Sequence, residues 1–233
     1  MAVDVYPLNI LGGGKRPVTS ISDTFPRGTL NPSGQLIWTP VVETIIPITN
    51  PFTYGLPQCN GANQMVLSGQ GNGNAGAIPT ICPCVGLDFG SVNAQTQFCQ
   101  CTFQGLLNAV AIAAGPCVMT TWNGEQGASW YGWNWSQSTF PFLEWAQVSG
   151  GVFSGAVLFT SGVAQVIGDV IRLSYNVATR TVTVSKNGTQ IFQAVDMNIP
   201  ATGIPGVQMR TANSFAGNCN QVIISNLTCG LGL

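Results

Sequence analysis

Eight cysteines and six tryptophans are the side chains of this 233-residue sequence best suited to chemistry or ligand contact, and histidine is absent. The cysteines are Cys59, Cys82, Cys84, Cys99, Cys101, Cys117, Cys219 and Cys229, with C-x-C pairs at 82/84 and 99/101. Alternate residues of a strand share a face, so each pair presents both sulfurs on one side. Two such pairs on neighbouring strands or loops could cross-bridge as a double disulfide staple, and Cys219 and Cys229 could close a final hairpin. The even count suits an oxidised framework, and all eight are expected to take part in it. Two alternatives stay open. One is a zinc site made of four cysteines, although zinc knuckles favour wider spacings and no histidine completes a mixed site. The other is a set of buried free thiols.

The missing histidine removes Ser-His-Asp and Cys-His triads, the commonest general base and His-based metal sites together. Carboxylate chemistry is left, from Asp4, Asp23, Glu43, Asp88, Glu125, Glu144, Asp169 and Asp196. Glycoside hydrolysis needs two carboxyl groups about 5 to 9.5 Å apart across the sugar. Only Glu125 and Glu144, which flank an aromatic segment, could form such a pair. Asp169 belongs to a Gly-Asp turn before a strand, where a side-chain cap is its expected role. Gly12-Gly13-Gly14 resembles a phosphate loop only superficially, because Asn9 and Arg16 occupy the required glycine and hydroxyl positions. No catalysis is expected.

Five tryptophans fall within residues 122–145: Trp122, Trp130, Trp133, Trp135 and Trp145, together with Tyr131, Phe140 and Phe142. Indoles stack on the apolar faces of sugar rings, and Asn123, Gln126, Asn134 and Gln137 could bond hydroxyls. Trp122, Trp130, Tyr131, Trp133, Asn134, Trp135 and Trp145 are therefore the candidate glycan platform. If the segment is a strand, Tyr131, Trp133 and Trp135 share one face while Trp130, Gly132 and Asn134 take the other. The competing reading puts one face in a core and the other against a neighbouring subunit, where Trp and Tyr are enriched.

The elements that must carry these residues are strands. Ile171, Leu173 and Tyr175 alternate with Arg172, Ser174 and Asn176, and Val182 and Val184 alternate with Thr181, Thr183 and Ser185. Asn187-Gly188 then marks a two-residue hairpin turn, whose central residues need φ > 0. Residues 104–114 read equally as a short helix or a buried strand before Gly115-Pro116. Residues 55–80 are rich in Gly, Asn and Gln and read as a long loop or a chain of turns. Residues 1–20 show little periodicity and read as an N-terminal arm, leaving 21–233 as one domain.

Charged residues make up 6% of the chain, against roughly 25% in an ordinary soluble domain. With a net charge of −1 there is no basic footprint for nucleic acid. Mean hydropathy is +0.28, but no apolar stretch reaches the roughly 18 residues of a membrane-spanning helix. So few charges mean that the surface is either covered by other subunits or solvated by hydroxyls and amides.

The order Ser22-Asp-Thr-Phe-Pro-Arg27, then Trp38, then Trp130-Tyr-Gly-Trp-Asn-Trp135, then Gly168-Asp-Val-Ile-Arg-Leu173 and Thr181 to Ile191, then Ile204-Pro-Gly-Val207 resembles the laminin-G/concanavalin-A-like jelly roll. The resemblance is nearest to versions in bacteriophage virion proteins and bacterial surface proteins, and it spans roughly residues 21 to 228. It implies an all-β, two-sheet antiparallel sandwich, a fold that hosts lectins, glycosidases and structural modules alike. Glycosidases of this fold carry an E-x-D-x-x-E strand, which is absent here. Calcium binds some relatives through acidic loops; none is dense here, so no cofactor is expected, with calcium kept as the alternative. The expected function is a non-enzymatic virion or surface structural module, a capsid-decorating or tail-associated protein. Its partners would be further copies of itself or a capsid or tail protein. The alternative is a carbohydrate-binding adhesin or receptor-binding domain that uses residues 122–145 on surface glycans. The expected location is the virion surface or, failing that, the cell surface: the N-terminus lacks a secretory leader, yet cysteines are abundant.

Overall fold

The computed structural model describes residues 20–31, 33, 35, 37–38, 41–42, 57–69, 78–84, 96–107, 112–122, 127–135, 140–150, 152–199, 202–211 and 220–232. Among these every regular element is a strand. They are β1 (Ser20–Asp23), β2 (Val41–Val42), β3 (Gln58–Cys59), β4 (Met65–Gly69), β5 (Ile78–Pro83), β6 (Gln97–Leu107), β7 (Ile112–Trp122) and β8 (Gly127–Asn134). Then follow β9 (Phe142–Ser149), β10 (Val152–Thr160), β11 (Val170–Asn176), β12 (Thr181–Lys186), β13 (Thr189–Val195), β14 (Ile204–Thr211) and β15 (Asn220–Leu231).

One sheet runs β13-β12-β11-β6-β15-β4-β3, with β1 also paired to β15, and the other runs β10-β9-β8-β7-β14-β5-β2. All pairings are antiparallel. Rings from the two sheets meet in the space between them. Tyr131 stacks on Tyr175 at 5.1 Å, Phe103 lies 5.2 Å from Trp135, and Phe159 stacks on Phe192 at 4.9 Å. This is the two-sheet antiparallel sandwich expected from the sequence.

The hairpin of β12 and β13 turns where Asn187-Gly188 placed it, with φ of 51° and 80°. Asn187 does a second job. Its Oδ1 accepts the Val170 N–H at 2.8 Å, and its Nδ2 donates to Asp169 at 3.0 Å, tying the turn to the start of β11. Asp169 caps its own turn through the Val166 N–H at 2.7 Å and pairs with the Lys186 ammonium at 2.8 Å. Burial alone would raise the Asp169 pKa, but these partners outweigh it and hold the carboxyl below its usual 3.8. A depressed folded-state pKa means that the stabilisation is complete above the unfolded value and fades as pH falls through the folded one. Denaturant melts from pH 6 to pH 2 should therefore show wild type losing stability below 3.8 faster than Asp169→Asn, and parallel curves would remove this linkage.

Two sequence expectations change. Residues 55–80 are not only turns: β3 and β4 form a hairpin there, closed by Asn60 donating to the Gln64 carbonyl at 3.2 Å. A Gly/Asn-rich composition hid it, because Met65, Val66 and Leu67 are a very short apolar run. Of the ambiguous stretch 104–114, residues 104–107 end β6 and residues 112–114 begin β7. The arm expected over 1–20 lies outside the described residues except for Ser20, which is the first residue of β1.

The Ser22–Arg27 and Trp38 motif proves to be a structural knot. The Asp23 carboxylate, 1% exposed, accepts two guanidinium bonds from Arg27 at 2.9 and 2.6 Å. It also accepts the Trp38 indole N–H at 3.0 Å and the Phe25 backbone N–H at 2.8 Å. Phe25, at φ 51°, turns the chain so that its ring packs in the core near Trp38.

The cysteines are not placed as a double staple on neighbouring strands would need. Cys59, Cys82, Cys84, Cys99, Cys101, Cys117 and Cys229 are all buried and drawn without a bond between any two of them, and Cys219 lies outside the described residues. The double staple fails because the C-x-C pairs occupy opposite sheets, not neighbouring strands: Cys82 is on β5 with Cys84 just after it, and Cys99 and Cys101 are on β6. The final hairpin fails because residues 220–231 are one continuous strand. Desolvation raises the thiol pKa of Cys82, Cys101, Cys117 and Cys229, and raises that of Cys59 to about 11.

Candidate functional site

Strand β8 divides the aromatic segment as its alternation requires. Tyr131, Trp133 and Trp135 point into the sandwich and are at most 1% exposed. The Tyr131 hydroxyl donates to Asp196 Oδ1 at 2.5 Å, a bond that together with burial pushes its pKa up. Trp145, opposite Tyr131 on β9, packs half-buried against the same core. Trp122 is 37% exposed at the end of β7. The seven-residue glycan platform is therefore not one surface. Tyr131, Trp133 and Trp135 are core, Trp145 supports the core, Trp122 stands apart, and only Trp130 and Asn134 share a face.

That outer face of the seven-stranded sheet gathers a polar cluster around Gly132. The register sets Glu144 of β9 and Cys117 of β7 opposite Gly132, and Ala146 opposite Trp130. Gln208 reaches in from β14, donating through Nε2 to Asn134 Oδ1 at 2.5 Å, while Asn134 Nδ2 donates to the Gly132 carbonyl at 3.2 Å. Phe153 of β10 packs beside the Trp130 indole, ring centroids 6.4 Å apart. A Cβ placed on Gly132 would lie 3.1 Å from Trp130 Cδ1 and 3.2 Å from Gln208 Cγ and Nε2. Both side chains thus lean over the one residue that offers no side chain of its own.

Trp130 Nε1, a donor, and Gln208 Oε1, an acceptor, are buried in this cluster without a hydrogen-bond partner. Trp130 Nε1 is bonded to the Cδ1 that overhangs Gly132, and Gln208 covers the same glycine through Cγ and Nε2. An unmet buried polar group costs about 1–3 kcal/mol. Trp133 Nε1 is also unpartnered, but it sits in the apolar core with no such counterpart described. A hydroxyl or a water, each at once donor and acceptor, can meet either need.

Glu144, 3% exposed, sits in this cluster, and its suggested partner Glu125 lies outside the described residues. Among the described residues, no three Cys, Asp or Glu side chains group as metal ligands. Asn123, Gln126 and Gln137 also lie outside the described residues. Gln208 was missed by sequence reasoning. A lone glutamine between Val207 and Met209 reads as an ordinary solvent-facing strand residue, and nothing local signals its approach to β8.

No protein-family model matches the sequence, and no curated protein matches it. Solved structures are similar in shape at low identity. The carbohydrate recognition domain of Emp47p is 11% identical with a TM-score of 0.47, covering 92% of this chain and 96% of that one. The legume lectin-like domain from Entamoeba histolytica is 10% identical with a TM-score of 0.46, covering 84% and 91%. A botulinum neurotoxin type C structure, described through cell entry dependent upon interaction with two ganglioside molecules, is 9% identical with a TM-score of 0.44. The match covers 91% of this chain and 47% of the toxin chain, so the chain spans about half the length of that neighbour.

Proposed function

We propose that this protein is a non-catalytic carbohydrate-binding module whose site is the outer face of the seven-stranded sheet at Trp130, Gly132, Asn134, Glu144 and Gln208. The observation that carries this reading is that Trp130 Nε1, a donor, and Gln208 Oε1, an acceptor, are both buried and unmet on side chains that cover Gly132. Trp130, Asn134 and Gln208 are at most 1% exposed, so a sugar hydroxyl would reach the indole N–H or the amide oxygen only once the side chains covering this face move aside.

The structural module expected first from the sequence, assembled from copies of the chain on a virion or cell surface, becomes the second reading. One feature favours it. Residues 145–168 carry no charge, and they include the edge strand β10 with exposed Val152 and Val157. Natural sheets usually protect such an edge with charge or proline.

Glycan-array binding followed by titration calorimetry separates the two. Trp130→Phe keeps an aromatic ring but removes the N–H, and it should weaken the best glycan about tenfold or more while melting close to wild type. Wild-type protein that binds no glycan and sediments as an oligomer would transfer the case to the second reading.

A further inference from the structure

We propose that Cys99 and Cys229 form an oxidation site, joined as the chain folds into a single cross-strand disulfide between β6 and β15. The two residues are direct Cα partners in the antiparallel register, and their Sγ atoms are 3.4 Å apart. Direct cross-strand partners lie about 4.5–5.5 Å apart at Cα, within the roughly 4.4–6.8 Å that a disulfide spans. Closing the bond therefore asks for sulfur rotation and no backbone movement.

The neighbouring cysteines sharpen the choice. Cys101, the other member of its C-x-C pair, faces Ile171 on β11, and a register shift between Ser225 and Thr228 leaves it no β15 partner. Cys84, arriving from the opposite sheet, also reaches the Cys229 thiol. Cys229 thus has one partner in strand register and one across the sandwich. The strand register selects Cys99.

The oxidant is a low-molecular-weight disulfide such as oxidised glutathione. One cysteine thiolate attacks it, forming a mixed disulfide and releasing one small thiolate. The second cysteine thiolate then attacks the mixed bond and releases the other. The protein sulfurs lose two electrons, the small disulfide gains them, and the two cysteine protons end on the two released thiols. Both cysteines are 0% exposed in the folded protein, so the exchange belongs to folding, before the sheets close. The finished bond is equally shielded from reductant.

The test is to refold the full chain in a glutathione redox buffer, block free thiols by alkylation, and map the peptides without reduction. A peptide joining residues 99 and 229 is expected. It should vanish in Cys99→Ser and persist in Cys84→Ser and Cys101→Ser. The oxidised form should melt about 10 °C above the reduced one, given the 130-residue separation of the pair. Native protein should resist dithiothreitol until denaturant is added. Full alkylation of Cys229, or its linkage to Cys84 or Cys219, would overturn the proposal. Should Cys99→Ser fail to fold, the wild-type map decides alone.

Discussion

Asp23→Ala is expected to destabilise the protein by about 3–5 kcal/mol, the usual effect of removing one partner from a buried ion pair. The Asp23 side chain is 1% exposed and the Arg27 side chain 16%, so water cannot replace the lost carboxylate around most of the guanidinium. The Trp38 indole N–H and the Phe25 backbone N–H lose their acceptor in the same step. Arg27 keeps one bond, to the Leu30 carbonyl at 2.7 Å, too little to offset the rest. Asp23→Asn should cost less, because an amide oxygen still serves one of the donors. Equilibrium urea denaturation measures both. A loss below about 1 kcal/mol for Asp23→Ala would mean that the knot is a surface ion pair in disguise.

The second large effect is Trp133→Ala, for which about 3–5 kcal/mol is expected from lost burial and the cavity left behind. Trp133 stacks on Phe159 at 6.4 Å, and Phe159 stacks on Phe192 at 4.9 Å, so the three rings bridge β8, β10 and β13. Removing the indole takes away one end of that ladder where the two sheet edges meet. Trp133→Phe should be far milder. It keeps a ring in the stack and deletes an indole N–H that has no partner, a group whose burial is itself unfavourable. Thermal melts of the two variants give the comparison. Equal losses would show that the ladder depends on indole volume rather than on aromatic contact.

What the sequence made legible was what neighbouring residues decide among themselves. The β11–β12–β13 meander follows from two-residue alternation and from Asn187-Gly188, where turn chemistry is local. The division of Tyr131, Trp133 and Trp135 from Trp130 and Asn134 follows from the same period. Which face is core does not follow, since the partners Tyr175, Phe159 and Phe103 come from strands far along the chain. The same limit hid Gln208, whose approach to Asn134 spans 74 residues. It also misled the cysteine reading, because a C-x-C spacing fixes which face the sulfurs share but not which sheet lies opposite. Composition then misdirected the β3–β4 hairpin, because over residues 55–80 glycine and asparagine outnumber the few residues that pair.

The pairing of β1 with β15 bears on how the fold answers a pull. Ser20 faces Gly230, and Asp23 faces Leu227. A load applied through Ser20 and Leu231 therefore enters the ladder at one end and opens its hydrogen bonds one after another, as a zipper opens, instead of shearing them together. Such a ladder yields at low force. The tear runs only four residues before it meets Asp23, where the strand is anchored sideways to Arg27, Trp38 and Phe25. Extension should therefore begin with a short, weak give of the leading strand and then stop, with the rupture of the sandwich deferred to a higher load.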